Sequence, residues 1–183
     1  MKIKVQEGTK WELRYMVIAR EVSTWSKDTS TKVGSVIVGE KGQIISQGYN
    51  GFARGIKDLK ERYENRELKY KYIIHSEINS IFNAVHSGAS TIGCAIYIHG
   101  LPICDKCADA IIQVGIKYVI MDTLPIERWK ESNELALEKL TEAGIEYKFI
   151  GSNKCEFKHC TDTCTRDIGN CKRTRPACPG TVI

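Results

Sequence analysis

Apolar residues recur along this chain with two periods. At three- and four-residue steps, Trp11, Tyr15, Ile18, Ala19, Val22 and Trp25 trace one face of an amphipathic helix over about 10–25. Val33-Gly34-Ser35-Val36-Ile37-Val38 and Gln43-Ile44-Ile45-Ser46-Gln47-Gly48-Tyr49 read as strands, with Glu40-Lys41-Gly42 as the hairpin turn between them. Residues 51–70 are polar and charged and read as a loop with some helical character. The helical step returns at Ile78, Ile81, Phe82 and Val85, which predicts a helix over about 75–86 with those four as its apolar stripe. Ala95–His99 is a third strand. Cys104–Val114 is a helix whose buried stripe is Ala108, Ile111 and Ile112, and Tyr118–Met121 is a fourth strand. Leu135, Leu137 and Leu140 mark a helix over about 129–142 that stops at Gly144, a C′ glycine. Ile145–Ile150 is a fifth strand. Strands alternating with helices in the second half predict a layered α/β domain.

Composition divides the chain in two. Residues 1–150 form one domain, long enough for a substantial core. Residues 151–183 hold five of the eight cysteines, Cys155, Cys160, Cys164, Cys171 and Cys178, are rich in Thr, Lys, Arg, Asn and Gly, and lack a hydrophobic period. They read as an appendage for which a flexible extension, a second zinc site with His159 and disulfides all remain open. The net charge of +5 is concentrated there: 151–183 carries six basic and three acidic residues, against 21 and 19 in 1–150. The nearly balanced body has no basic stripe of the kind that marks a nucleic-acid-binding surface. No apolar run approaches the roughly 20 residues of a membrane span. Met1–Gly8 has no signal-peptide core, so a cytoplasmic protein is expected.

The chemistry is concentrated in His75-Ser76-Glu77 and Cys104-Asp105-Lys106-Cys107. Two cysteines three apart at a helix start present both sulfurs on one face, where free amides and the positive helix end favour thiolates. His75 and Glu77, two apart, diverge by about 200° within a helix. They converge on one point only at a helix start, where the apolar pattern places them. His75, Cys104 and Cys107 are therefore the expected zinc ligands. Three protein ligands leave a tetrahedral zinc one open position for water, whose pKa the metal lowers to about 7 in the best cases. Glu77 is then free to be the proton shuttle. A closed structural zinc or a redox C-x-x-C are the alternatives, but residues 1–150 offer no fourth ligand at a suitable spacing. His86 is about 16 Å further along the helix axis and reads as a surface histidine. His99 reads as structural, and Cys94 as a buried thiol.

This arrangement resembles the H-x-E…P-C-x-x-C signature of zinc nucleobase deaminases. Trp25-Ser26-Lys27-Asp28, Lys32–Val38 and Gly48-Tyr49-Asn50-Gly51-Phe52-Ala53-Arg54-Gly55 extend the likeness, as do Arg66–Tyr70 and Cys107–Ile116. Over roughly residues 10–150 the chain is similar to the cytidine/deoxycytidylate deaminase superfamily, and within it to the deoxycytidylate (dCMP) deaminases. The resemblance implies a three-layer α/β/α fold around a mixed five-stranded sheet. It implies zinc and the hydrolysis of dCMP to dUMP and ammonia, supplying dUMP for thymidylate synthesis. It also implies a homo-oligomer, often a hexamer, with dCTP and dTTP as effectors. By the same resemblance Asn50 contacts the sugar, the Ser76 amide the pyrimidine carbonyl, and Ser26 and Lys27 the phosphate, with Arg54 and Lys32 as weaker candidates. Two features depart from the family: Ile103 is inserted between Pro102 and Cys104, and Ser76 stands where Ala is usual. No Cys or His between Tyr49 and His75 provides the additional zinc site of some relatives. The rival readings are a zinc deaminase acting on another cytosine nucleotide or on a base in RNA or DNA, and a silent zinc-binding or nucleotide-sensing module. Retention of Glu77 opposes the silent module.

Overall fold

The computed structural model describes residues 5–151. Its elements run β1 (Val5–Gln6), α1 (Lys10–Thr24), β2 (Gly34–Val38), β3 (Ile44–Tyr49), α2 (Lys60–Glu64), α3 (Arg66–Tyr72) and α4 (Ser76–His86). They continue with β4 (Ala95–His99), α5 (Asp105–Gln113), β5 (Tyr118–Met121), a 3₁₀ turn Glu127–Trp129, α6 (Lys130–Glu142) and β6 (Glu146–Ile150). The strands form one mixed sheet in the order β1-β6-β5-β4-β2-β3. β2 is antiparallel to both β3 and β4, whereas the pairs β4–β5, β5–β6 and β6–β1 are parallel.

The sheet is covered on both faces, so its central strands β2, β4 and β5 are largely apolar and buried, and successive residues serve opposite cores. Ile37, Ile96, Ile98, Val119, Met121 and Phe149 pack towards α4, α5 and α6. Their neighbours Val36, Val38, Tyr97, Ile120 and Ile150 pack with Tyr15, Met16, Ala19 and Val22 of α1. This is the expected three-layer α/β/α fold, with six strands and not five. The additional strand is the two-residue β1, paired with Phe149 and Ile150 at the sheet edge. A pair that short has no alternation to detect in a sequence.

Two further differences have physical causes. The charged 51–70 stretch contains α2 and α3, held by aromatic contacts and not by a continuous apolar stripe: Phe52 stacks on Tyr63 at 4.2 Å. On α4 the buried side is Ser76, Glu77, Ser80, Ile81 and Ala84, while Phe82 and Val85 face outward. Small residues line the inner face because the helix backbone lies almost against the sheet. A Cβ on Gly48 of β3 would fall 2.3 Å from the Ser80 nitrogen and 2.4 Å from the Ser76 oxygen. Ser46 reinforces this approach by donating its hydroxyl to the Ser80 carbonyl at 2.7 Å. Gly34 does the same on the other face, where a Cβ would meet the Ala19 carbonyl of α1 at 2.1 Å.

At the end of α6, Gly144 has φ +68° and is the expected C′ glycine. Ile145 N–H donates to Leu140 C=O at 2.8 Å, and Gly144 N–H to Thr141 C=O at 3.1 Å, a Schellman closure.

Because backbone atoms of α4 meet Gly48, added volume there has no side chain to displace. Gly48→Ala is expected to destabilise the domain by about 1–3 kcal/mol, the range for overpacking a tight core. It should also reduce metal retention, because the displaced helix start carries His75. Unchanged melting temperature and metal content in this variant would contradict the account of α4 seating.

Candidate active site

The starts of α4 and α5 meet. His75 is the N-cap residue of α4, with φ −69° and ψ 156°, and Cys104 is the N-cap residue of α5, with φ −94° and ψ 164°. Neither side chain caps its own helix, so both are free to face the junction. Cys107, one turn into α5, faces the same point. The Sγ atoms of Cys104 and Cys107 each lie 3.4 Å from His75 Nδ1, and one ligand atom from each residue falls within 4.8 Å of the others.

The cluster's protonation is strongly mutual. Cys104 is held down to about 4, first by its contact with Cys107 and then by His75, against the opposing effect of burial. His75 is pushed up to about 9, chiefly by Cys104. Cys107 is pushed well above the ordinary thiol range by Cys104 and by burial. Without a metal, one thiolate is thus balanced by an imidazolium and a neighbouring thiol. This donor set suits zinc: two sulfurs and one imidazole nitrogen, near the spacing of roughly 3.3–3.8 Å required by bonds of about 2.0–2.3 Å to a tetrahedral ion. A dication would replace the protons the cluster now shares. No other group of three such donors lies together among the described residues.

Glu77 lies beside the cluster on the first turn of α4 and is 3% exposed. Ser76 Oγ donates to its carboxylate at 2.8 Å. The Ser76 hydroxyl therefore restrains the orientation of this carboxylate. Ser80 donates to the Glu77 carbonyl at 2.7 Å.

A cleft of about 910 Å³ opens above these residues and is lined by His75, Ser76, Glu77, Cys104 and Asn50. Asn50 is buried. Its Oδ1 accepts from Val33 N–H at 2.8 Å and its Nδ2 donates to Thr31 C=O at 2.9 Å, so it fixes the wall at residues 31–33. Each amide atom keeps capacity for a second hydrogen bond. Ser26 and Lys27 are not brought to the cleft. Ser26 donates to the Asn50 carbonyl at 2.7 Å from a buried position. Lys27 is exposed and paired with Asp58 at 2.7 Å. Arg54 is turned to Asn83, and Lys32 to the carbonyls of Thr24 and Ser26.

The segment after Lys27 does reach the cleft. Asp28 caps it, accepting from Ser30 N–H at 2.9 Å and Thr31 N–H at 3.2 Å. Burial pushes the Asp28 carboxyl up, but these bonds and Lys69 outweigh it and hold the group below the ordinary carboxylate range. Lys69, Arg66, Tyr70 and Arg128 also line the cleft, and sequence reasoning gave none of them a role. The Arg66–Tyr70 segment was visible through its likeness to the family. Arg128 carried no motif.

His99 is half-buried beside this region. Its Nδ1 is 2.5 Å from Asp122 Oδ2, and Gly100 N–H donates to Asp122 at 3.4 Å, tying β4 to β5 just before the cysteine loop. Cys94 is buried and His86 exposed, as the sequence suggests.

Comparison with known proteins accords with this geometry. Residues 9–123 match the family model for the cytidine and deoxycytidylate deaminase zinc-binding region. The deoxycytidylate deaminase of Homo sapiens is 34% identical over 155 residues, covering 80% of this chain and 84% of the human protein. An uncharacterized deaminase from the luxG 3′ region of Aliivibrio fischeri is 35% identical over 145 residues, covering 78% and 95%. In fold, the chain is similar to the cyanophage S-TIM5 dCMP deaminase in complex with dCMP and dUMP, with a TM-score of 0.63 and 23% identity over 79% of this chain and 99% of that one.

Removing one ligand should remove one metal. Cys104→Ser is expected to carry one zinc fewer per chain than the unmodified protein by elemental analysis, whereas Cys94→Ser keeps the full complement. Equal zinc in Cys104→Ser and the unmodified chain would exclude this cluster as the centre.

Proposed function

The chain belongs to the cytidine and deoxycytidylate deaminase family, and on that premise we propose that it hydrolyses dCMP to dUMP and ammonia. The observation that carries the reading is a buried carboxylate, Glu77, beside a three-donor zinc cluster at the floor of a cleft large enough for a nucleotide. A centre used only to hold the fold together has no need of a buried carboxylate there.

His75, Cys104 and Cys107 would hold the zinc. When bound, the metal acts as a Lewis acid that makes hydroxide available at neutral pH. Glu77 takes a proton from the attacking water as the new C–O bond forms at C4 of the cytosine. It passes that proton to ring N3. The hydroxyl proton then leaves by the same carboxylate for the departing amine, the C4–N4 bond breaks, and ammonia and the uracil ring result. Ser76 restrains one carboxylate oxygen, which leaves the other to serve the reacting atoms. The first-turn amides of α4 have no intrahelical acceptors and are available to the pyrimidine carbonyl. Asn50, anchored through the backbone at Thr31 and Val33, meets the sugar. The dUMP formed is the substrate class for thymidylate synthesis.

Residues 1–150 carry this activity in the proposal. The cysteine-rich segment 151–183 lies outside the described residues. No helix among the described residues is long and apolar enough to cross a membrane.

Glu77→Gln is expected to keep zinc and nucleotide binding while turnover falls by at least the ~10²–10⁴-fold of one positioned acid/base, since the group serves more than one transfer. Near-normal turnover would exclude the shuttle. Among dCMP, dCTP, cytidine and a single-stranded oligonucleotide, dCMP should have the highest kcat/KM. A preference for the oligonucleotide would move the chain to the nucleic-acid branch of the family.

A further inference from the structure

Four lysines and arginines line the cleft: Arg66, Lys69, Lys106 and Arg128. Two are neutralised. Lys69 pairs with the buried Asp28 at 3.2 Å and donates to Ser30 Oγ at 2.6 Å. Lys106 pairs with Asp105 at 3.7 Å. Neither guanidinium has a carboxylate partner among the described residues. Both instead reach one neutral oxygen. Tyr70 OH accepts from Arg128 Nη2 at 2.7 Å and from Arg66 Nε at 3.2 Å.

The two arginines come from sites far apart in the chain, α3 and the 3₁₀ turn before α6. Aromatic contacts hold the junction. Tyr70 meets Trp129 edge-on at 6.3 Å, and the Arg128 guanidinium lies 4.9 Å from the Trp129 ring centroid. Two forked cations without a counter-charge, converging on a single weak acceptor at the mouth of a nucleotide-sized cleft, describe an anion seat whose occupant is a phenol oxygen.

We propose that Arg66 and Arg128 bind the 5′-phosphate of the nucleotide, with Tyr70 OH as the internal acceptor that the phosphate displaces. This rests on the nucleotide reading given above and deepens it. A phosphate monoester offers three strong acceptor oxygens and up to two negative charges, and guanidinium forks match it better than they match a neutral phenol. Selectivity for nucleotide over nucleoside then resides on the α3 and α6 side of the cleft and not in Ser26 and Lys27, whose side chains are engaged elsewhere.

The test is calorimetric binding of dUMP and of deoxyuridine, a pair that differs only in the phosphate and undergoes no turnover, to the full zinc-loaded chain and its variants. Arg66→Met and Arg128→Met are each expected to weaken dUMP by about 10- to 100-fold, the scale of a lost charge-assisted hydrogen bond, with deoxyuridine within about twofold. Arg128→Lys should fall between. Tyr70→Phe, which removes the competing oxygen, should bind dUMP as well as or better than the unmodified chain. Parallel loss of both ligands in the arginine variants, no loss of dUMP, or a selective loss confined to Lys27→Met would each overturn the proposal. Failure of the deaminase reading appears separately, as phosphate-dependent binding without ammonia release from dCMP.

Discussion

Everything chemical in this domain depends on the starts of two helices reaching one point. α4 delivers His75 and Glu77, and α5 delivers Cys104 and Cys107. Each helix start brings a metal-capable donor on its extended N-cap residue, where the side chain is released from the helix face. The position of α4 is set at Gly48, where the backbones of helix and strand approach so closely that a methyl group would collide. The position of α5 is set by its packing on the sheet through Ala108 and Ile111, and by α6, whose Asn133 donates to the Ile103 carbonyl at 2.9 Å. The residue inserted before Cys104 is thereby accommodated: Ile103 is wholly buried, and its carbonyl is held by α6.

The cleft wall follows the same logic of fixed backbone. Asn50, Asp28 and Ser26 are buried polar groups whose hydrogen bonds go to the backbone of residues 28–33 and 50. Buried polar groups persist only when satisfied. These are satisfied by that backbone, which braces the loop as part of the cleft wall. Lys69 closes the network from α3, so the charged 51–70 segment also shapes the cleft. Helix starts thus carry the donor cluster and Glu77, and a braced loop forms part of the facing wall.

Much of this was legible in the sequence because the constraints were local. A C-x-x-C at a helix start and an H-x-E at another admit few geometries, and the structure brings His75, Cys104 and Cys107 together. Five strands and the main helices followed from apolar periodicity. What escaped had no local signal. β1 is two residues long, and α2 and α3 are held by aromatic stacking across a charged run. Phe82 and Val85 fit the helical period but lie on the outer face, because small residues were needed on the inner one. Ser26 and Lys27 matched the family pattern, yet the lysine is drawn to Asp58 and the serine to a carbonyl. Arg66 and Arg128 meet only through the tertiary fold, across 62 positions of sequence.

The central claim is that the joined helix starts form a zinc centre on which dCMP hydrolysis depends. Ammonia release from dCMP by the purified full chain, measured after chelation and again as zinc is returned in sub-stoichiometric steps, tests it most directly. Activity is expected to vanish on chelation in the unmodified protein, to return linearly and to saturate as the His75–Cys104–Cys107 site fills. Undiminished ammonia release from chelated protein shown by elemental analysis to be metal-free would contradict it.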